Sequence, residues 1–144
     1  MTKIYHLALV SDWQNALRHN TTYFPPTYEA DGFTHGTSEP GRLLDVANHF
    51  YTDSVDEWIC LEMTEQSLDK QNIVVKYEAP ANVGNQDGKL EGKTILFSHV
   101  FGGIRPDVAT KTYPVIRDAS GAFTDINLTP WKTKQKTFIN NCLS

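Results

Sequence analysis

Three histidines of this chain sit in separate segments, each flanked by apolar or aromatic residues. They are Ile4-Tyr5-His6-Leu7, Gly32-Phe33-Thr34-His35-Gly36-Thr37-Ser38 and Leu96-Phe97-Ser98-His99-Val100-Phe101-Gly102-Gly103. Imidazole changes charge near neutral pH and donates and accepts a hydrogen bond at once. Among apolar neighbours each ring needs a partner or a ligand, because an unpaired polar group is costly to bury. If the three segments converge, they form a site for acid–base chemistry or for a polar ligand.

The second segment carries the densest polar chemistry. Gly32 and Gly36 let backbone approach a ligand closely. Thr37 and Ser38 place hydroxyls and backbone N–H groups at the start of an expected helix, where an anion is favoured. With His35 as donor they read as a phosphate or carboxylate pocket, and Ser38 is expected to cap the helix. Glu78 ends a β-rich run beside Tyr77. A carboxylate there can orient a histidine or contact a ribose hydroxyl, although an exposed strand end is the commoner case. His19 and His49 lie among polar residues and read as surface or structural groups. Three imidazoles with an open position would suit zinc. The long spacing and the lack of a His-x-His or His-x-x-x-His pair place metal behind an organic ligand. No Walker A loop, Gly-x-Gly-x-x-Gly or Ser–His–Asp motif is present.

The elements that must position these residues are legible from pattern. Ile4 to Val10 predicts a strand. Ser11-Asp12-Trp13-Gln14 reads as a capping box that opens a short helix through about Arg18. Tyr23-Phe24-Pro25-Pro26 stops regular structure. Gly32 to Thr37 is a short strand or an extended loop. A second helix begins at Ser38-Glu39-Pro40 and buries Leu43, Val46, Ala47 and Phe50. Trp58 to Met63 is a continuous apolar run and predicts a central strand. Thr64 to Leu68 forms a single turn, and Ile73 to Tyr77 another strand. Residues 81 to 92 are loop, with brief pairing from Thr94 to Phe97. Gly102-Gly103 marks a turn. Val108 to Ile116 is a strand whose end lies at a sheet edge because of Pro114. Asp118-Ala119-Ser120-Gly121 turns into a last strand, Ala122 to Ile126. Beyond it the tail either docks through Trp131 and Phe138 or is mobile. This order predicts an α+β sandwich with mostly antiparallel pairing.

Composition bounds the function. At 144 residues, 40% hydrophobic and 21% charged, the chain suits one domain that folds without a disulfide or metal. A net charge of −4 argues against a nucleic-acid footprint. Cys60 and Cys142 give no disulfide framework. Asn20-Thr21-Thr22 and Asn127-Leu128-Thr129 match the glycosylation pattern, which arises readily by chance. No apolar run approaches a membrane span, and no signal peptide opens the chain, so the cytoplasm is the expected compartment.

In this order, the three histidine segments resemble the domain-of-unknown-function (DUF) family nine-five-two. Members open with an Ile-Tyr-His strand, as Ile4-Tyr5-His6 does. A Pro-Pro stretch and Glu-x-x-Gly-Phe-Ile-His-x-Ser follow, here Glu29 to Ser38. Next come Ala47-Asn48-His49-Phe50-Tyr51, Leu61-Glu62 and Tyr77-Glu78. Phe97-Ser98-His99-Val100-Phe101-Gly102-Gly103-Ile104 is similar to the family's Phe-Pro-His-x-Tyr-Gly-Pro-Leu. Thr34 departs from a usual apolar residue, and Ser98, Phe101 and Gly103 depart from Pro, Tyr and Pro. The resemblance covers about residues 3 to 117. It implies an ADP-ribosyltransferase-like fold, the fold of RNA 2′-phosphotransferases. That is a split, mostly antiparallel β core with two or three flanking helices and an NAD-shaped cleft. It implies that His6 holds a ribose of NAD and that His35 to Ser38 support the nicotinamide side. His99 lies in the third motif, with Glu78 as the nearby carboxylate.

The combined expectation is one α+β domain over residues 1–126 with a C-terminal extension at 127–144. Its cleft binds NAD, another nucleotide or a phosphorylated small molecule, with ribosyl transfer as the implied activity. His6, His35, His99 and Glu78 are the expected catalytic residues. His6, Gly36, Thr37 and Ser38 are the expected cofactor contacts, and no metal is assigned. The alternatives are a non-catalytic ligand-binding module, which the altered third motif favours, and a histidine-based metal hydrolase. Neither DNA nor a membrane is an expected partner.

Overall fold

The computed structural model describes residues 2–78 and 97–128. The expected loop at 81–92, the start of the Thr94–Phe97 segment and the tail beyond residue 128 lie outside the described residues. Strand β1 (Lys3–Leu9) pairs antiparallel with β3 (Trp58–Thr64), with His6 opposite Leu61. Both strands are buried on two faces. Ile4 and Ala8 pack with Trp13, Leu61 and Met63, while Tyr5 and Leu7 pack with Leu43, Ala47 and Cys60. Double-sided burial explains why β3 reads as an unbroken apolar run although its neighbours are antiparallel.

Helix α1 (Val10–His19) follows β1 without a break. Its N-cap is Leu9, with no side-chain cap, so the Ser11–Gln14 capping box does not form. The physical reason is that the Val10 N–H donates to Glu57 O at 3.0 Å, which carries the helix start back to the strand end. Ser11 therefore falls inside the first turn. Asn20 closes the helix in the left-handed region at φ 50°.

The single turn α2 (Tyr28–Asp31) ends at Gly32, φ 81°, which turns the chain into β2 (Thr34–Gly36). Helix α3 (Gly41–Phe50) starts later than expected, with Pro40 as N-cap and no side-chain cap. Ser38 is exposed and caps nothing; instead the Thr37 hydroxyl accepts from the Glu39 N–H at 3.2 Å. The Asn48 side chain of α3 exchanges two hydrogen bonds with the backbone of Phe123, at 2.9 and 2.8 Å. It thereby occupies the free edge of the last strand as a neighbouring strand would. Asn48→Ala is expected to cost about 1–2 kcal/mol in urea denaturation, the contribution of two partly buried hydrogen bonds.

A capping box does form at α4 (Glu65–Asp69), where Thr64 and Ser67 cap each other. Strands β4 (Val74–Glu78), β5 (Phe97–Phe101), β6 (Lys111–Arg117) and β7 (Phe123–Ile126) complete the described residues. They form two antiparallel sheets, β1-β3-β6-β7 and β2-β5-β4. The result is an α+β fold with a curled antiparallel core. Pro114 does not put β6 at an edge. It lies opposite Ile59 of β3, and β7 covers the other side from Val115 onward. The hairpin that returns β7 is held by the Asp118 carboxylate, which accepts from the Ser120 and Ala122 N–H groups at 2.9 and 3.1 Å. Among the described residues no helix is long and apolar enough to cross a membrane.

Candidate functional site

The two sheets meet at one point and then part. Tyr5 and Thr37 exchange both backbone hydrogen bonds, at 2.7 and 3.0 Å. Continued pairing would set Gly36 opposite His6 and His35 opposite Leu7. Instead β2 turns away to pair with β5, where His35 lies opposite His99 across 64 residues of sequence. His6 fills the gap. Its Nδ1 lies 2.5 Å from His35 O, and its Nε2 lies 3.1 Å from the Tyr23 hydroxyl. A carbonyl only accepts, so Nδ1 carries the proton and Nε2 accepts from Tyr23. His6 is buried, and burial pushes its pKa down to about 4, against the opposing pull of the His35 carbonyl. Both ring nitrogens are engaged, so His6 acts as a spacer between the sheets.

Gly36 is where the strands close most tightly. A Cβ there would stand 2.8 Å from Ile4 Cγ2 and 3.2 Å from Ser98 O. Its missing side chain serves strand packing.

Two further imidazoles are each backed by a carboxylate. His35 Nε2 lies 2.8 Å from Asp31 Oδ2, a contact made possible by the turn at Gly32. Burial lowers the His35 pKa, opposed by Asp31 and reinforced by His99. His99 Nδ1 lies 2.8 Å from Glu78 Oε1 on the neighbouring β4. A carboxylate accepts, so His99 carries a proton on Nδ1, and in the neutral ring Nε2 presents a lone pair. That Nε2 is buried and has no hydrogen-bond partner among the described residues; Ser98 Oγ shares this condition. Phe33 stacks on the His99 ring, with centroids 4.0 Å apart and planes at 20°, and also touches His35 at 4.6 Å. His35 and His99 meet edge to face at 5.8 Å.

His6, His35 and His99 line one cavity of about 280 Å³ at the point where the sheets part. Leu43, Val46 and Phe50 of α3 form one wall, and Leu7, Leu9, Tyr51 and Trp58 another. Tyr51 and Trp58 stack with centroids 4.4 Å apart. Burial, and then the Asp31 charge, pushes the Tyr51 pKa up to about 12, so its hydroxyl stays protonated. No Lys or Arg lines the cavity among the described residues.

Of the other residues singled out in the sequence, Gly36 lines the cavity while Thr37, Ser38 and Glu78 do not. The Thr37 N–H is bonded to Tyr5 O, and Glu78 reaches the site through His99. Among the described residues no group of three or more His, Cys, Asp or Glu could hold a metal ion. The pattern reading did not single out Tyr23, Asp31 or Phe33. Asp31 stands four residues before His35 across a Gly-Phe turn, which is a usable signal. Tyr23 comes to His6 only through its bridge to Ile104, and nothing local marks it.

The fold and cavity define a small α+β protein with a partly open, largely apolar hollow lined by hydrogen-bonded imidazoles. Residues 8–112 match the family model described as "Protein of unknown function (DUF952)", and the chain belongs to that family. Its fold is similar to the crystal structure of protein CC0527 from Caulobacter crescentus, at 18% identity and TM-score 0.63, over 85% of this chain and 94% of that one. A double-methionine variant of CC0527 gives the same values. The solution NMR structure of CC0527 aligns at 16% identity and TM-score 0.57, over 92% of this chain and 97% of that one. At such identities the likeness is one of fold. No curated protein matches the chain.

Proposed function

We propose that the protein binds a compact, largely apolar organic molecule whose polar edge donates a hydrogen bond to His99 Nε2. His99 Nε2, buried and without a partner among the described residues on the wall of an apolar hollow, carries this reading. A buried acceptor left unsatisfied costs on the order of 1–3 kcal/mol, which a ligand donor would recover. Ligand pockets commonly combine apolar walls with a few placed polar groups, at volumes from about 300 Å³ upward. A hollow of about 280 Å³ therefore suits a single ring system. Phe33, stacked behind His99, keeps the imidazole plane fixed. His35 Nδ1 offers a second acceptor and the Tyr51 hydroxyl a donor.

The test is an NMR titration of histidine-labelled protein with phenol, indole and uracil. At least one is expected to shift the His99 Nε2 resonance. His99→Phe keeps the ring stack on Phe33 and is expected to weaken binding about tenfold, the equivalent of one lost hydrogen bond. Equal binding to the variant, or no perturbation by any of the three, would overturn the reading.

Ribosyl transfer from NAD is the second reading. It is supported by the family resemblance and by the gathering of the three motif histidines at the split between antiparallel sheets. The hollow accommodates a nicotinamide-sized ring, whereas the pyrophosphate would have to lie outside it, away from any Lys or Arg of the lining. With His6 engaged at both nitrogens, the neutral His99 backed by Glu78 offers a lone pair for proton transfer. His99-dependent release of nicotinamide from NAD would establish this reading, and its absence at saturating NAD would reject it.

A further inference from the structure

The imidazoles give the hollow a one-sided polar lining. His99 lines it, and its buried Nε2 has no hydrogen-bond partner among the described residues. In the neutral ring that atom only accepts. His35 is held in the same manner. Its Nε2 faces the Asp31 carboxylate at 2.8 Å, so the proton sits there and Nδ1 is left as an acceptor. The two rings meet with centroids 5.8 Å apart, close enough for one forked donor to serve both. His6 takes no part, since both of its nitrogens are engaged.

Charge favours the same kind of guest. Each of these imidazoles has a carboxylate on its far side, Asp31 buried and Glu78 half-exposed. The Asp31 charge is felt by two residues of the lining. It opposes the lowering of the His35 pKa and adds to the rise of the Tyr51 pKa. Burial nevertheless holds the His35 pKa below its ordinary value of 6.5, so at neutral pH that ring supplies no positive charge. Among the described residues the lining holds no Lys or Arg. It does hold aromatic faces, among them the stacked Tyr51 and Trp58, and such faces attract a cation through the ring quadrupole. A carboxylate or phosphate entering the hollow would meet two acceptors backed by negative charge.

We infer that the ligand is a small organic cation of the amidinium or guanidinium type, with two adjacent N–H donors on one apolar ring or short chain, selected by the carboxylates behind His35 and His99. This rests on the reading of the cavity as a ligand site and names the ligand's charge and donor pattern. The N–H fork bridges His99 Nε2 and His35 Nδ1. The apolar part lies against Leu43, Val46 and Phe50. Taking a charge out of water is costly. Two charge-assisted hydrogen bonds, the carboxylates one ring behind them and the aromatic faces offset that cost. A neutral amide of the same shape fits less well, because its carbonyl would oppose one of the two acceptors.

The test uses three flat probes of one size at pH 7.5: benzamidine, a cation; benzamide, neutral; and benzoate, an anion. Benzamidine is expected to shift the His99 and His35 imidazole resonances and to bind about tenfold more tightly than benzamide, the equivalent of one charge-assisted hydrogen bond. Benzoate is expected not to bind. Asp31→Asn and Glu78→Gln each keep an acceptor for their histidine and remove one charge. At least one of them is expected to weaken benzamidine about fivefold and leave benzamide unchanged, whereas a loss of packing would weaken both probes alike. Benzamide or benzoate binding as tightly as benzamidine overturns the inference. So does a preference for benzamidine that neither variant reduces. Binding of phenol, indole or uracil at His99 with no preference for benzamidine over benzamide sinks the inference and leaves the cavity reading standing. No response to any of the six compounds overturns both.

Discussion

Acidification from pH 7.5 to 4.5 is expected to remove about 2–3 kcal/mol of folding stability through His6 alone. The His6 pKa is about 4 in the folded protein against an ordinary value of 6.5. The unfolded chain therefore binds the extra proton between those values and the folded chain does not. Stability from this group is fully present above about pH 6.5 and is lost as pH falls toward 4. His35, whose pKa burial also lowers, contributes with the same sign. The cause is burial, which disfavours the charged ring. The neutral ring donates to His35 O and accepts from Tyr23, so both nitrogens are satisfied without a second proton. His6→Asn keeps a donor for His35 O without a titrating group. Urea denaturation of wild type and variant at both pH values checks the expectation. The variant is expected to lose most of the pH dependence between 4.5 and 6.5 while being less stable at pH 7.5. An unchanged slope would show that His6 is not the group responsible.

Gly103→Ala is expected to cost on the order of 2–3 kcal/mol, at the upper end of the usual range for an overpacked site. A Cβ at this position would stand 2.5 Å from Thr22 Cγ2, 2.7 Å from Tyr23 O and 2.8 Å from Phe24 Cε1. Tyr23 O is a backbone atom that accepts from Ile104 N at 2.8 Å, so relief requires the bridge between these segments to open. That bridge holds the tyrosine whose hydroxyl bonds His6. The substitution is thus expected to disturb the His6 imidazole resonances as well as lower the denaturation midpoint. Gly41→Ala is the control. It opens helix α3 with no atom within 4 Å of the added methyl, and is expected to be neutral or slightly stabilising. Equal effects at the two glycines would contradict the packing argument.

Much of the scaffold was readable along the chain because its signals are local. The alternating and continuous apolar runs mark β1, β3 and β4. The spacing of Leu43, Ala47 and Phe50 marks α3, and Asp118 to Gly121 marks the last hairpin. The failures were also local readings, overridden by partners distant in sequence. Ser11 and Ser38 looked like caps, but strand pairing and the Thr37–Tyr5 bridge decided where α1 and α3 begin. Pro114 looked like an edge residue. It stands inside the sheet because its carbonyl accepts from Asn127 N while its missing N–H is not required at that register.

For the site, the sequence by itself determined which residues need partners. Imidazoles set among apolar neighbours, a Gly-Phe turn before His35 and a carboxylate at the end of β4 are all chemical facts of the chain. The tertiary structure decided what each of them does. Pairing of β2 with β5 sets His35 against His99, and the parting of β1 from β2 gives His6 both a carbonyl and a tyrosine. The same parting leaves His99 Nε2 on the wall of the hollow with no hydrogen-bond partner among the described residues. Hydrogen-bond saturation depends on which segments are neighbours in space, and residues far apart along the chain become neighbours only when the sheets close.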